Sequence, residues 1–478
     1  MNKEKRKNKL LLTYPNQKWH KNDLVTNWMN PPVTLCLLGA MVKDLVDVKI
    51  IDANFYNLSR EKFRAEVENW DPDYVGISVL TNEYGNILNV AAGIIKEIDK
   101  NTVVIAGGVH VTTNYSKIIE DQNIDFACRG EGEYLLRELL LYLTGEGEMP
   151  KEGLIYRDQD KNVHIQDHRL VEDLSQLPWP DYSLVNFQDY IERQTRIGPN
   201  RHPDLPGTYL QVTRGCPVQC SFCQTPFVSG LKIRKRDITD VVKEFHFLKK
   251  RYGIKAVTFL DDNLFLHKNY AKKLLREMID TKLDIKWGCG TVAIFSIDEE
   301  LVNLMKESGC KTIGVSVESG TKRVLREIVK KPIKNLDEIP DKIAMIKSRG
   351  IPVRAAFIIG FPGETWEEIR ETIRFAENCN ADYIKIFVAV PLPGTQLWDL
   401  AQSLNALYQG DGEYSIDWRH SKILSDEWTT RDVSILRAYE WDRINFAADR
   451  IEKTADLWGC SIEELKEVRK KTRDALEL

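Results

Sequence analysis

The chain of 478 residues has no apolar run of the ~18 residues that a membrane-spanning helix needs. It also has no N-terminal apolar segment ending in small residues of the kind that marks a secretory signal. The expectation is a cytoplasmic protein with no transmembrane segment. Net charge is small, since 67 Lys and Arg against 71 Asp and Glu leave −4. The one basic run, "KEKRKNK" from Lys3, reads as a solvated lead-in to the first strand, so no nucleic-acid partner is expected. Internal repeats and low-complexity tracts are absent. No G-x-G-x-x-G follows the first strand, which weighs against dinucleotide binding. Nine cysteines are an odd count and too sparse for a disulfide scaffold, which suits a reducing compartment. Six of them, Cys36, Cys128, Cys289, Cys310, Cys379 and Cys460, stand alone in sequence and read as small buried hydrophobes.

What is present is ordinary globular composition, 43% hydrophobic and 29% charged, over a length that at roughly 150 residues per domain suggests about three domains. From Leu10 to Glu133 short β-rich runs ("LLLTY", "VDVKIIDA", "YVGISV", "VVIAGG", "DFACRG") alternate with helical stretches such as "YGNILNVAAGIIKEIDK". That is the rhythm of a doubly wound, Rossmann-like (flavodoxin-like) α/β sheet, assigned to residues 1–150. Ligands of such sheets lie outside the strand carboxyl ends. The residues there form one candidate rim: Asp52 and Asn54, Ser78 and Thr81, Gly107, Gly108 and His110, then Gly130, Glu131, Gly132 and Glu133. Residues 151–205 read as an interdomain linker in which Pro178 and Pro180 flank a pinning Trp179.

A second βα series fills 206–400, with strands "TYLQVT", "KAVTFL", "IKWGC", "TIGVSV", "VRAAFIIG" and "YIKIFVAV". Six units predict a partial (β/α)6 barrel of the TIM type, with its chemistry on the loops after the strands. The motifs fall on those loops: three cysteines after the first strand, Asp261, Asp262 and Asn263 after the second, Glu318 after the fourth, "GFPGE" after the fifth and "PLPGT" after the sixth. The tail, 401–478, reads as a helical region that packs on the barrel, with Ser461 and Glu464 at capping-box spacing.

The stretch "RGCPVQCSFCQTP" holds Cys216, Cys220 and Cys223 with no fourth cysteine close behind. Structural zinc is closed by four ligands. Three thiolates on an iron-sulfur cube leave one iron free for a ligand that is not protein.

Cys216-x-x-x-Cys220-x-x-Cys223, with the aromatic Phe222 before the last cysteine, resembles the radical S-adenosylmethionine enzymes. The resemblance implies a [4Fe-4S] cluster on the three cysteines, with S-adenosylmethionine chelating the fourth iron. It places Asp262, within Asp261-Asp262-Asn263, near the methionyl amine, Glu318 at the ribose, and Gly360 and Pro362 near the adenine. "NPPVTLCLLGAMV", "VKIIDANFYN", "DPDYVGISVLT", "AGGVHVTTN", "RGEGE" and "LPWPDY" resemble the cobalamin-binding domain fused to one class of these enzymes. Where many cobalamin domains carry Asp-x-His-x-x-Gly, this chain has Asp52-Ala-Asn54-Phe-Tyr-Asn57, so a base-off cobalamin without a histidine lower ligand is expected. His110 is then expected at the corrin periphery or tail.

The resemblance implies an enzyme that methylates an unactivated carbon of an unidentified substrate through a 5'-deoxyadenosyl radical and methylcobalamin. Its electron donor would be of the flavodoxin or ferredoxin type. One rival is a cobalamin-dependent cyclase, ring-contraction or coupling enzyme without methyl transfer, and another is a cobalamin or redox sensor. A methylthiotransferase would need a further N-terminal three-cysteine cluster, yet only Cys36 and Cys128 precede Cys216. No side chain is assigned a proton-transfer role.

Overall fold

The computed structural model describes residues 6–20, 30–194, 196–198, 201–408, 416, 418 and 420–475. The start of the basic run, Lys3 to Lys5, and parts of the 401–478 region lie outside them. Two compact units are present: residues 1–190 with 227–229, and residues 191–226 with 230–478. Among the described residues no helix is long and apolar enough to cross a membrane.

The first unit is built on seven strands, β1 (Lys9–Tyr14), β2 (Asp47–Asp52), β3 (Tyr74–Ser78), β4 (Val103–Gly107), β5 (Phe126–Cys128), β6 (Leu154–Arg157) and β7 (Val163–Ile165). Their order is β2-β1-β3-β4-β5-β6-β7, with β1 to β5 parallel and β6 and β7 antiparallel. The order 2-1-3-4-5 is the flavodoxin-like one, and its switch point lies between β1 and β3. Leu10, Leu11 and Leu12 are essentially unexposed and β3 is buried throughout, because helices cover both faces of a parallel sheet.

Residues 151–205 differ from the linker expected of them. The hairpin β6–β7 extends the first sheet, and the chain that follows packs on the helix Val33–Val42: Asp181 N donates to Cys36 O at 3.1 Å and Lys43 Nζ meets Asp181 at 2.7 Å. Tyr182, Phe187 and Tyr190 are the buried anchors, whereas Trp179 is only partly buried. The sequence hid this because β7 is short and wholly exposed, so it carries no apolar alternation.

The second unit holds six parallel strands, β8 (Gly207–Leu210), β11 (Ala256–Phe259), β12 (Lys286–Ala293), β13 (Cys310–Glu318), β14 (Val353–Ile359) and β15 (Tyr383–Val388), in sequential order. This is the expected partial barrel, open between β15 and β8. A short antiparallel ribbon, β9 (Thr213–Arg214) with β10 (Arg234–Lys235), ties the base of the cysteine loop. Both sheet edges are closed by a carboxamide. Gly207 N donates to Gln194 Oε1 at 2.9 Å while Gln194 Nε2 donates to Gly207 O. On the far edge Ile384 N donates to Asn445 Oδ1 and Asn445 Nδ2 to Ile384 O, each at 2.8 Å. Asn445 ends the helix Thr430–Asn445, which packs along β15 as the tail was expected to pack. Ser461 and Glu464 form the reciprocal cap that their spacing predicted.

Candidate active site

In the first unit the strand carboxyl ends carry the expected rim. Asp52 accepts from Phe55 N at 2.9 Å and from Tyr190 Oη at 3.1 Å, and burial pushes its pKa up to about 6. Asn54 is buried and its side-chain oxygen accepts from Gln17 N at 3.4 Å, which joins the loops after β1 and β2. With that oxygen committed to backbone, Asn54 stands as a loop tie at the position where a histidine ligand would be. Ser78 ends β3 against Gly108, whose φ is +94° and whose Cβ would lie 2.6 Å from Val79 O. Only glycine fits there, and the main chains of β3 and β4 approach closely beside Gly107. Thr81 caps the turn Asn82–Tyr84 by accepting from Glu83 N.

His110 sits over Gly85, with Nδ1 3.1 Å from Asn82 Oδ1 and 3.2 Å from Asn114 Nδ2. Burial lowers its pKa to about 4, so the ring is neutral and held between Asn82 of the turn after β3 and Asn114 of its own segment. Gly130, at φ +111°, lets Arg169 O come to where a Cβ would be, and Glu131 accepts from Val171 N at 2.6 Å. These two residues therefore anchor the segment after β7. Gly132 precedes the helix Glu133–Thr144, and Glu133 is buried in its first turn.

In the second unit the cysteine loop is held almost entirely through backbone. Cys216 N donates to Gly230 O at 3.1 Å, Cys223 N to Cys220 O at 3.0 Å, and Ser221 N to Val329 O at 2.9 Å, while Ser221 O accepts from Leu397 N at 2.8 Å. Segments beyond β13 and β15 thus clamp the one residue between Cys220 and Phe222. Asp262 Oδ2 accepts from Gly215 N at 2.8 Å. Asp261 is buried against Val212 N and the Thr213 hydroxyl, the latter at 2.6 Å, and burial raises its pKa to about 7. Position puts this acidic pair beside the cysteine loop, and these hydrogen bonds shape that loop.

The sulfur atoms act on one another electrostatically. Burial raises the Cys220 thiol to about 12, with Lys331 opposing and Glu318, Cys223 and Cys216 reinforcing, and burial also raises Cys216. Metal binding to such a thiol displaces its proton. Among the described residues no three His, Cys, Asp or Glu side chains converge on a single ion. Three thiolates without a fourth suit a cube, which spreads them over three iron corners.

Glu318 ends β13 at φ +77° and meets Lys331 Nζ at 2.7 Å, with both side chains buried. Phe222 faces Phe361 at 6.3 Å between ring centroids. Gly360, at φ +78°, and Phe361 both donate backbone N–H to Glu364 Oε2, at 2.7 and 2.9 Å. A Cβ on Gly360 would lie 2.8 Å from Val433 Cγ1, so that side of the turn is filled by the helix Thr430–Asn445. Pro362 is buried beside it. Sequence reasoning missed Lys331, Val329 and Glu364. Glu364 alone had a local signal, standing four residues after a glycine that needs its N–H satisfied. Of the solitary cysteines five are buried as expected, and Cys460 is partly exposed after the left-handed Gly459.

A three-thiol loop at the carboxyl ends of a parallel partial barrel, preceded in the chain by a flavodoxin-like sheet with a glycine-lined rim, defines a radical S-adenosylmethionine enzyme with a cobalamin-type domain. Residues 210–376 match the Radical SAM superfamily model and residues 29–140 the B12 binding domain model. The chain is 33% identical over 397 residues to an uncharacterized methyltransferase of Pyrococcus horikoshii, covering 83% of this chain and 82% of that protein. It is 29% identical to the cytidylyl-2-hydroxyethylphosphonate methyltransferase of Streptomyces wedmorensis, over 72% of this chain and 69% of that one. Its fold is similar to that of the radical S-adenosylmethionine methyltransferase TsrM from Kitasatospora setae, solved with cobalamin and a [4Fe-4S] cluster bound. There the TM-score is 0.70 and the identity 18%, covering 93% of this chain and 82% of that one. The chain belongs to the cobalamin-dependent radical S-adenosylmethionine enzymes and is methyltransferase-like among them.

Proposed function

We propose that this enzyme transfers a methyl group to an unactivated carbon. The observation that carries the reading is the loop of three partly buried thiols without a fourth, in a chain whose B12-type sheet has Asn54 tied to backbone where a histidine ligand would stand. When bound, the cluster, S-adenosylmethionine and cobalamin supply a 5'-deoxyadenosyl radical and a methyl group held on cobalt, which is the difficult part of the chemistry.

The protein's part is positioning. Cys216, Cys220 and Cys223 would hold three irons of the cluster, and the clamp on Ser221 fixes the loop that carries them. Glu318, with Oε1 on Lys331, offers Oε2 to the ribose hydroxyls. Asp262 addresses the methionyl amine from beside the loop, while Phe222, Gly360 and Pro362 border the adenine. Gly107, Gly108, Ser78 and Thr81 form the floor on which the corrin lies, with Asp52, Asn54, His110 and the Gly130–Glu133 run shaping the loops around it. A flavodoxin- or ferredoxin-type donor supplies electrons, and the setting is the cytoplasm.

The test is anaerobic. The holoenzyme is reconstituted with iron, sulfide and cobalamin, given reductant, S-adenosylmethionine and cell extract, and 5'-deoxyadenosine and S-adenosylhomocysteine are quantified by mass spectrometry. Both products are expected, with both lost in the Cys216→Ala/Cys220→Ala/Cys223→Ala variant. Deoxyadenosine without the homocysteine product would replace methyl transfer by cyclase-type chemistry, and neither product would overturn the proposal.

A further inference from the structure

The three sulfurs of the cysteine loop do not meet the same surroundings. Cys223 Sγ accepts a hydrogen bond from Thr225 N, with 3.4 Å between nitrogen and sulfur. Cys216 takes a backbone hydrogen bond from Val218, and at Cys220 the opposing positive charge is that of Lys331.

The Thr225 amide is fixed in place. The carbonyl of Thr225 accepts from Gly230 N at 3.2 Å, and Gly230 O accepts from Cys216 N at 3.1 Å, so the residue that donates to one sulfur is tied to the main chain of another cysteine. Gly230 lies at φ +76°, a conformation that glycine adopts without strain. Cys223 N is spent on Cys220 O, which leaves the amide two residues on as the one that meets the Cys223 sulfur.

Negative charge already gathers here. Asp262 adds to it at Cys216 and Glu318 at Cys220. Reducing a cluster on these thiolates adds one electron, taken from the donor, which is oxidised by the same amount, and no bond is made or broken. The reduced cluster is the more negative state, so a hydrogen bond to one of its sulfurs stabilises it more than the oxidised state and raises the reduction potential. From this geometry we infer that the Thr225 N–H sets the reduction potential of the cluster, bringing it within reach of its electron donor. Acting through Cys223, Thr225 is a positioning residue for electron entry. The inference rests on the cluster that the proposed function assigns to the three cysteines.

The test is a potentiometric titration of the reconstituted holoenzyme, followed by low-temperature EPR in the absence of S-adenosylmethionine. Thr225→Pro removes the N–H but keeps the carbonyl that Gly230 N uses, whereas Thr225→Ala removes only the side chain. At the wild-type midpoint the ratio of reduced to oxidised cluster is expected to fall roughly tenfold in Thr225→Pro, about 59 mV for one electron, and to stay within about twofold in Thr225→Ala. An unchanged midpoint in Thr225→Pro, or an equal shift in Thr225→Ala, would overturn the inference. Should the proline variant hold no iron, pulsed EPR of the reduced cluster decides. Wild type grown on threonine labelled with heavy nitrogen should show a nitrogen coupling that disappears when Thr225→Ser is grown on the same label, and identical spectra from the two would also overturn the inference. A wild type that forms no reducible cluster sinks the proposed function, whereas a cluster whose midpoint ignores the Thr225 amide sinks this inference alone.

Discussion

Lys331 and Glu318 form a buried ion pair, 2.7 Å from Nζ to Oε1, with side chains 5% and 8% exposed. The lysine also pulls against the burial that keeps Cys220 protonated. One cation thus serves both the carboxylate proposed for the ribose and a cluster thiol. Removing one partner of such a pair typically costs about 3–5 kcal/mol, because the other charge is left uncompensated. Lys331→Met should lower the melting temperature and weaken S-adenosylmethionine binding at least tenfold by equilibrium dialysis. Adding Glu318→Gln should restore much of the melting temperature but not the affinity. Recovery of both would mean that Glu318 does not touch the cosubstrate.

Gly108 tests the rim. Its φ is +94° and Val79 O lies 2.6 Å from where a Cβ would stand, so Gly108→Ala forces the β3 and β4 ends apart. It should cost more than about 1 kcal/mol and at least halve the hydroxocobalamin retained after gel filtration, read by absorbance. Iron content per chain should not change, since the cysteines belong to the other unit. Undiminished cobalamin retention would remove this glycine from the corrin floor.

Glu364 predicts a pH dependence. Burial raises its pKa from 4.5 to about 8, so the folded state binds this proton more tightly than the unfolded chain. The stability it contributes is complete below about pH 4.5, falls as pH rises toward 8 and is level above. Glu364→Gln keeps an acceptor for Gly360 N and Phe361 N but has no proton to lose. Its melting temperature should exceed the wild type's by a margin that grows between pH 5 and 8 and then levels off. A margin independent of pH would show that Glu364 is ionised throughout.

The strands and the cysteine loop were legible because their signals are local: continuous apolar runs for buried parallel strands, and three thiols in one turn of chain. What stayed hidden was carried by backbone or by distance. Ser221 is clamped through its own N–H and C=O by Val329 and Leu397, and no side chain records such bonds. Lys331 lies thirteen residues from Glu318 in a stretch with no pattern, and only the turn Val324–Val329 brings it back. The acidic run after β11 was readable as adjacent to the cofactor, yet Asp261 and Asp262 bond to the main chain before the cysteines, a direction that composition does not encode. The hairpin β6–β7 escaped because an exposed edge strand needs no apolar face.

A sheet that stops at six strands has two raw margins, each a template on which another chain could grow. Here each margin carries a carboxamide, the peptide group in miniature, and on β15 Arg437 Nε also donates to Ile386 O at 3.0 Å. Gln194 and Asn445 both donate to and accept from one strand residue, as the backbone of a seventh strand would. The barrel is thereby left unclosed without being left adhesive. The seam between β15 and β8 remains a gap in the wall, and the chain pays for it with a few side chains instead of two more strands.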